Sequence, residues 1–243
     1  MIEIITVTKN DYYGLVNTVL STESLRMAKS THQTIIDGSS NHQSRLIQKF
    51  ILGKEGISYY YQEPKGIAQA FNYGIKKTNK KWIWFLNGGD MCKQGMNIEL
   101  FISLFKKTSA DMVIFETKNR QNIIKRPPMY LMWPPFPVWI PHPSTIIRRS
   151  LLVDNYGFNE KYKIAMDAEF WLRVLSKDAV ADIISIPIVK FTTGGVSSDL
   201  VNLSAEGKYI IQKNISLILK LWLKNLLNII YIYCKFWKIS RKK

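Results

Sequence analysis

The chain has 243 residues, a formal net charge of +16 and 47% hydrophobic residues. That length buries a full core in one large domain or in one domain with an appendage, and the composition excludes a disordered chain. Two scattered cysteines, Cys92 and Cys234, and three histidines exclude a disulfide framework and a cysteine–histidine zinc site, and they suit a reducing compartment.

Strands are predicted at residues 3–8, 33–37, 57–62 and 82–86, with helices between them at 13–28, 43–52 and 67–78. This alternation is the pattern of a parallel sheet covered by helices on both faces. A helix at 98–107 and a strand at 112–117 continue it. The first residues read directly as strand, with neither a basic segment nor an apolar stretch of signal length, so a cytoplasmic location is expected.

Seven of the nine prolines fall between Pro127 and Pro143, among Trp133, Phe136 and Trp139, which predicts an irregular aromatic loop. Order resumes at 145–152, turns follow at 154–162, and a helix begins near Met166. After Glu206 there are nine Lys or Arg and no acidic residue. The longest uncharged stretch there, 225–234, is too short for ~30 Å of hydrocarbon. Lys213, Lys220 and Lys224, with Trp222 and Trp237 among aliphatic neighbours, fit a helix lying on an anionic membrane surface. A terminal helix packed on the domain with a solvated basic face is the other reading. The boundary is placed at 1–205 for the domain and 206–243 for the basic amphipathic tail.

Neither the Gly-x-Gly-x-x-Gly fingerprint nor the P-loop nor the Gly-x-Ser-x-Gly elbow is present. The chemistry is sought instead at strand ends, where open α/β sheets collect ligands. The run Lys81-Trp-Ile-Trp-Phe-Leu-Asn87-Gly-Gly-Asp90 carries an unbroken apolar strand into two glycines and a carboxylate that can meet a divalent metal. Asp37 closes the second strand, and Thr6 and Thr8 close the first. Asp167 stands at a helix start, where free N–H groups and the dipole favour its ionised form, and such a carboxylate can act as a general base. Glu169 lies four residues before Arg173 and reads as a helix-surface ion pair. His142 and Trp139, in Trp139-Ile-Pro-His-Pro, hang over the same edge.

Together these segments resemble the GT-A glycosyltransferases of family 2, in particular the bacterial branch that builds O-antigen, capsule and colanic-acid polysaccharides. The likeness covers about residues 1–195. It rests on Ile5-Thr-Val-Thr8, Ile36-Asp37-Gly-Ser, Glu63-Pro-Lys-Gly66-Ile-Ala-Gln-Ala-Phe-Asn72, Trp84-Phe-Leu-Asn87-Gly-Gly-Asp90, Pro141-His-Pro-Ser-Thr and Met166-Asp167-Ala-Glu-Phe-Trp-Leu-Arg173. The sequence departs from the family pattern in two places. Asn87 and Gly89 stand where carboxylates of the acidic metal motif often occur, and Lys65 replaces an aspartate common in this branch.

The resemblance implies a mostly parallel GT-A (Rossmann-like) α/β sheet. It implies that Thr6, Thr8, Asp37, Asn72, Asn87 and Asp90 hold a nucleotide sugar, with Mg or Mn on Asp90. Asp167 is then the base of an inverting hexosyl transfer, and His142, Trp139 and Trp171 hold the acceptor. The expected donor is UDP-linked. The expected acceptor is a polyprenyl-diphosphate-linked saccharide at the cytoplasmic face of the bacterial inner membrane. Two rival readings remain open at this stage: a basic nucleic-acid-binding protein, and a sugar-nucleotide-binding relative without transfer. The concentration of basic charge in an apolar tail, and the lack of RNP-like strands, weigh against nucleic acid.

Overall fold

The computed structural model describes residues 1–118, 124–125, 140, 142–177, 179–190, 200–223 and 226–227. Trp139, nearly all of the proline-rich loop and the end of the tail lie outside these residues. Nine strands form one sheet. They are β1 (Ile2–Thr8), β2 (Thr31–Asp37), β3 (Ile57–Tyr61), β4 (Trp82–Phe85), β5 (Met91–Cys92), β6 (Met112–Lys118), β7 (Ile124–Lys125), β8 (Thr145–Arg148) and β9 (Ala181–Lys190). The spatial order is β3-β2-β1-β4-β8-β6-β9-β5, with β7 on β6.

The first four strands in this order are parallel, as the alternating pattern predicts. From β8 onward the sheet is mixed: β8 runs antiparallel to both β4 and β6, whereas β6 and β9 are parallel. The unbroken apolar runs follow from this architecture. In β1, Ile2 and Ile4 enter one core while Ile5 and Val7 enter the other; in β4, Trp82 and Trp84 face one side and Ile83 and Phe85 the opposite. A strand that feeds two cores has no polar face to alternate.

Helices surround the sheet: α1 (Tyr12–Ser21), α2 (Glu23–Met27), α3 (Asn41–Ile51), α4 (Ile67–Lys76), α5 (Ile98–Lys107), α6 (Arg149–Asp154), α7 (Met166–Leu175) and α8 (Leu200–Lys213), and residues 215–223 are again helical after a turn at Asn214. α5 packs Phe101 and Phe105 into the core of Trp82 and Trp84, and α4 and α7 pack into the opposite core. The single helix expected at 13–28 is broken at Thr22. Its buried hydroxyl lies 2.8 Å from Gln33 Oε1 on β2 and 3.1 and 3.0 Å from the carbonyls of Thr18 and Val19, so a side chain at the break is tied to the sheet.

The tail does not stand off the domain as a whole. Ile210 and Leu221 are buried in the α4/α7 core, while Ile215, Leu219, Trp222, Leu223 and Leu227 are exposed. Among the described residues no helix is long and apolar enough to cross a membrane.

Candidate active site

The carboxyl ends of β1, β2 and β4, together with the loop from β3 into α4, enclose a cavity of about 380 Å³. Its wall includes Thr8, Lys9, Gln62, Lys65, Asn87 and Gly88. Lys9 and Lys65 line this space together with Asp11 and Glu63, so the residue that replaces the branch's aspartate lies on a cavity wall of mixed charge. Gly88 lies close to Thr8: a Cβ there would meet Thr8 Oγ1 at 3.2 Å, a tight contact that the hydroxyl would have to yield to. Gly89 takes φ +99°, a conformation that favours glycine.

The turn after β4 is tied at both ends. The Asn87 N–H donates to Asp90 Oδ2 at 3.1 Å, and the Asp90 N–H donates to the Asn87 carbonyl at 3.0 Å. From α1, the buried Thr18 hydroxyl accepts the Gly89 N–H at 2.9 Å, and its own proton is shared between the Gly14 carbonyl at 3.1 Å and the Asn87 carbonyl at 3.2 Å. Thr18 thus positions the Asn87–Asp90 turn. A threonine in mid-helix gives no sequence signal of that role.

Asp90 is buried, and Asn87 Oδ1 is a buried oxygen without a hydrogen-bond partner. Oxygen donors of this kind fit Mg or Mn, with the rest of the shell drawn from a diphosphate and water. Among the described residues no three His, Cys, Asp or Glu side chains converge as a metal cage. The donor set therefore suits an ion that arrives with its anionic ligand.

Several expected donor contacts are spent inside the protein. Asp37 is fully buried, with Oδ1 accepting the Ser39 N–H at 2.8 Å and Oδ2 accepting the Ser44 and Tyr59 hydroxyls at 2.6 and 2.7 Å. Its carboxylate shapes the end of β2 through these three hydrogen bonds. Thr6 is likewise fully buried and accepts from Gln33 Nε2 at 2.9 Å. Asn72 clamps α4 to the turn before α7: Nδ2 donates to the Phe158 carbonyl at 2.8 Å and Oδ1 accepts the Phe158 N–H at 2.9 Å. Of the expected donor residues, Thr8 and Asn87 lie on the cavity wall and Asp90 closes the turn beside it.

The expected acceptor residues also divide. Trp171 is 0% exposed and packs edge-on against Phe170, so its ring fills the core and offers no face to a sugar. His142 is half-buried in a short 3₁₀ turn (His142–Ser144), stacked on Phe71 at 5.0 Å and beside Phe85 at 5.5 Å. Burial among these rings pushes its pKa down to about 4, so the imidazole is neutral near pH 7.

Asp167 is the second residue of α7 and half-buried. Its Oδ1 accepts the Ala168 N–H at 2.8 Å. Burial pushes its pKa up to about 6 and outweighs the opposing pull of the backbone N–H groups. The prediction that the helix start would dominate is corrected by this balance: desolvation wins. The carboxyl is poised near neutrality, as a general base requires.

Glu169 and Arg173 form the predicted pair at 2.8 Å, but it is not on the surface. Glu169 is buried, and Arg173 also donates to the carbonyls of Asn155 and Gly157. The pair thereby holds the preceding turn against α7. Phe85, at the end of β4, packs on Phe158 at 5.2 Å, and Phe158 packs on Phe170, one turn along α7 from Asp167, also at 5.2 Å. Two ring contacts thus join the strand that leads to Asp90 with the helix that carries Asp167.

A mixed α/β sheet whose first four strands are parallel, with a cavity at their carboxyl edge, is the arrangement of a GT-A-like fold. The chain belongs to glycosyl transferase family 2, whose model matches residues 3–182, and by that membership is a glycosyltransferase. It is 26% identical over 210 residues to an uncharacterized glycosyltransferase of Mycobacterium tuberculosis, covering 81% of this chain and 77% of that one. The fold is similar to S. aureus TarS 1–349 in complex with UDP-GlcNAc, at TM-score 0.68 and 17% identity, over 82% of this chain and 60% of that one. The chain spans 36% of a longer TarS chain. A mannosyltransferase from Pyrobaculum calidifontis, in complex with GDP-Man and Mn2+, aligns at TM-score 0.66 and 11% identity, over 92% of this chain and 68% of that one.

Proposed function

We propose that the chain moves a hexose from a nucleoside-diphosphate sugar, UDP being the expected nucleotide, to a hydroxyl of a lipid-linked saccharide in bacterial surface polysaccharide synthesis. The observation that carries this reading is Asp167: a half-buried carboxyl at a helix start, with a pKa of about 6. The cavity at the carboxyl ends of β1, β2 and β4 supports a donor there, with Lys9 and Lys65 available to a diphosphate and Asp11 and Glu63 on the same wall. UDP is favoured because TarS 1–349 is bound to UDP and UDP-GlcNAc in two structures of similar fold.

In this mechanism the Asp167 carboxylate accepts the proton of the acceptor hydroxyl as its oxygen bonds to the anomeric carbon. The bond from that carbon to the diphosphate oxygen breaks, and its electron pair leaves with the nucleoside diphosphate. Attack opposite the leaving group inverts the anomeric centre, so an α-linked donor gives a β-linkage. A Mg or Mn ion held by Asp90, with Asn87 Oδ1 beside it, would supply positive charge against the leaving diphosphate.

The lipid-linked acceptor and a peripheral membrane location are supported by the tail. Ile215, Leu219, Trp222 and Leu223 are exposed on the helical segment 215–223, which also carries Lys220 and follows Lys213 at the end of α8, an apolar and basic surface suited to an anionic leaflet. The test is a thermal-shift panel of nucleoside diphosphates with and without Mn, followed by transfer from the best donor to synthetic lipid-diphosphate sugars. Stabilisation by one nucleotide, with a new glycosidic product, is expected. Failure of every nucleotide to stabilise the chain would refute the reading. Co-sedimentation with phosphatidylserine vesicles tests the tail, and equal binding to neutral vesicles would refute its electrostatic part.

A further inference from the structure

α8 begins six residues before the expected boundary of the tail and carries Glu206 on its second turn. The Glu206 carboxylate reaches across to the residues that precede α7. Its Oε1 accepts the Lys163 N–H at 2.8 Å, and its Oε2 accepts the Ile164 and Ala165 N–H groups, both at 2.9 Å. Successive backbone N–H groups converging on one anion form a strong, directional mount.

The geometry of the mount bears on Asp167. Ala165 is the N-cap residue of α7, and its carbonyl accepts the Glu169 N–H at 3.2 Å, a bond of the first helical turn. Glu206 therefore holds the N–H side of the same peptide-linked residue whose carbonyl starts the helix, two positions before Asp167. The junction has further support from the ring of Tyr209 beside Tyr162 at 6.3 Å and from the burial of Ile210. The negative charge also lies at the positive end of the α7 dipole.

We propose that Glu206 is a positioning residue for Asp167, so that α8 is a working part of the active site and not only the root of the tail. This rests on the glycosyl-transfer reading. Among the described residues the Glu206 carboxylate accepts hydrogen bonds from backbone N–H groups, and its effect passes through the placement of the Ala165–Asp167 segment. A misplacement of about 1 Å at a reacting group costs on the order of 100-fold in rate.

The experiment compares the full chain with Glu206→Ala, Glu206→Gln and, as a control, Gln212→Ala on an exposed part of α8. Amide hydrogen exchange is read over residues 163–165, and kcat and donor KM are measured with the best nucleotide sugar. In Glu206→Ala, exchange should rise at 163–165 and kcat should fall roughly 10- to 100-fold, with donor KM changed less than about twofold. Glu206→Gln should be intermediate, because one amide oxygen still accepts from Ile164 and Ala165. Gln212→Ala should match the parent chain.

Unchanged exchange in Glu206→Ala would overturn the clamp. Faster exchange with unchanged kcat would overturn its positioning role. A parallel loss of kcat, donor affinity and melting temperature in both Glu206 variants would reduce Glu206 to a fold-stabilising residue and overturn the proposal as well. Absence of transfer by the parent chain would instead overturn the glycosyl-transfer reading, while the exchange arm still tests the clamp.

Discussion

Replacing Asp167 with Asn removes the proposed base while keeping the size of the side chain. The structure sets two separate expectations for it. A positioned base contributes ~10² to 10⁴ in rate, so kcat should fall by that factor with donor KM little changed. In the parent chain the carboxyl titrates at about 6, so kcat/KM should fall on the acid side with that midpoint. One unit below it, roughly one-tenth of the sites remain ionised. The same shift has an opposite consequence for stability. The folded pKa of Asp167 lies above its ordinary 3.8, so between about 4 and 6 the folded chain binds the extra proton, and ionisation destabilises it as pH rises through that window. Asp167→Asn should therefore melt at the same temperature as the parent near pH 4 and at a higher temperature above pH 6. Rate profiles from pH 4.5 to 8, paired with thermal melts from pH 4 to 8, read both effects. A variant with turnover within tenfold of the parent would refute the base assignment. A melting difference independent of pH would refute the buried-carboxyl account.

Asp37→Asn should destabilise the fold and leave nucleotide specificity unchanged, because the carboxylate accepts from Ser39, Ser44 and Tyr59 and has no exposed surface. Hydrogen bonds to a charged group contribute ~1.5 to 3 kcal/mol each, so urea unfolding should detect the loss; a switch in nucleotide preference without lost stability would contradict the placement. Trp171→Ala should cost ~3 to 5 kcal/mol as a core truncation, measured by the same unfolding assay. A selective rise in acceptor KM at unchanged stability would return Trp171 to the acceptor site.

Where the sequence was informative, a residue's role depended on its neighbours in the chain. The Trp82–Phe85 run shows no polar alternation because both faces are covered, and that is visible without knowing what covers them. The Asn-Gly-Gly-Asp turn and the start of α7 are local in the same sense. β9 was not legible: Pro187 interrupts it beside a register shift in β6, and its buried and exposed positions do not alternate. Strand direction beyond β4 was hidden for a related reason, since an apolar run has the same composition whichever way it is threaded.

The site residues divide along the same line. Asp37 and Thr6 occupy strand ends, where a ligand could meet them, but Gln33, Ser44 and Tyr59 reach them first from other parts of the chain. Glu206 is the converse case. It is an ordinary acidic residue in a helix, and it gains meaning only from three backbone N–H groups 41 to 43 positions away. Residue type at a strand end can nominate a contact, but the competition among polar partners decides it. The Tyr59 hydroxyl that reaches Asp37 and the carboxylate that reaches residues 163–165 come from segments no local motif connects.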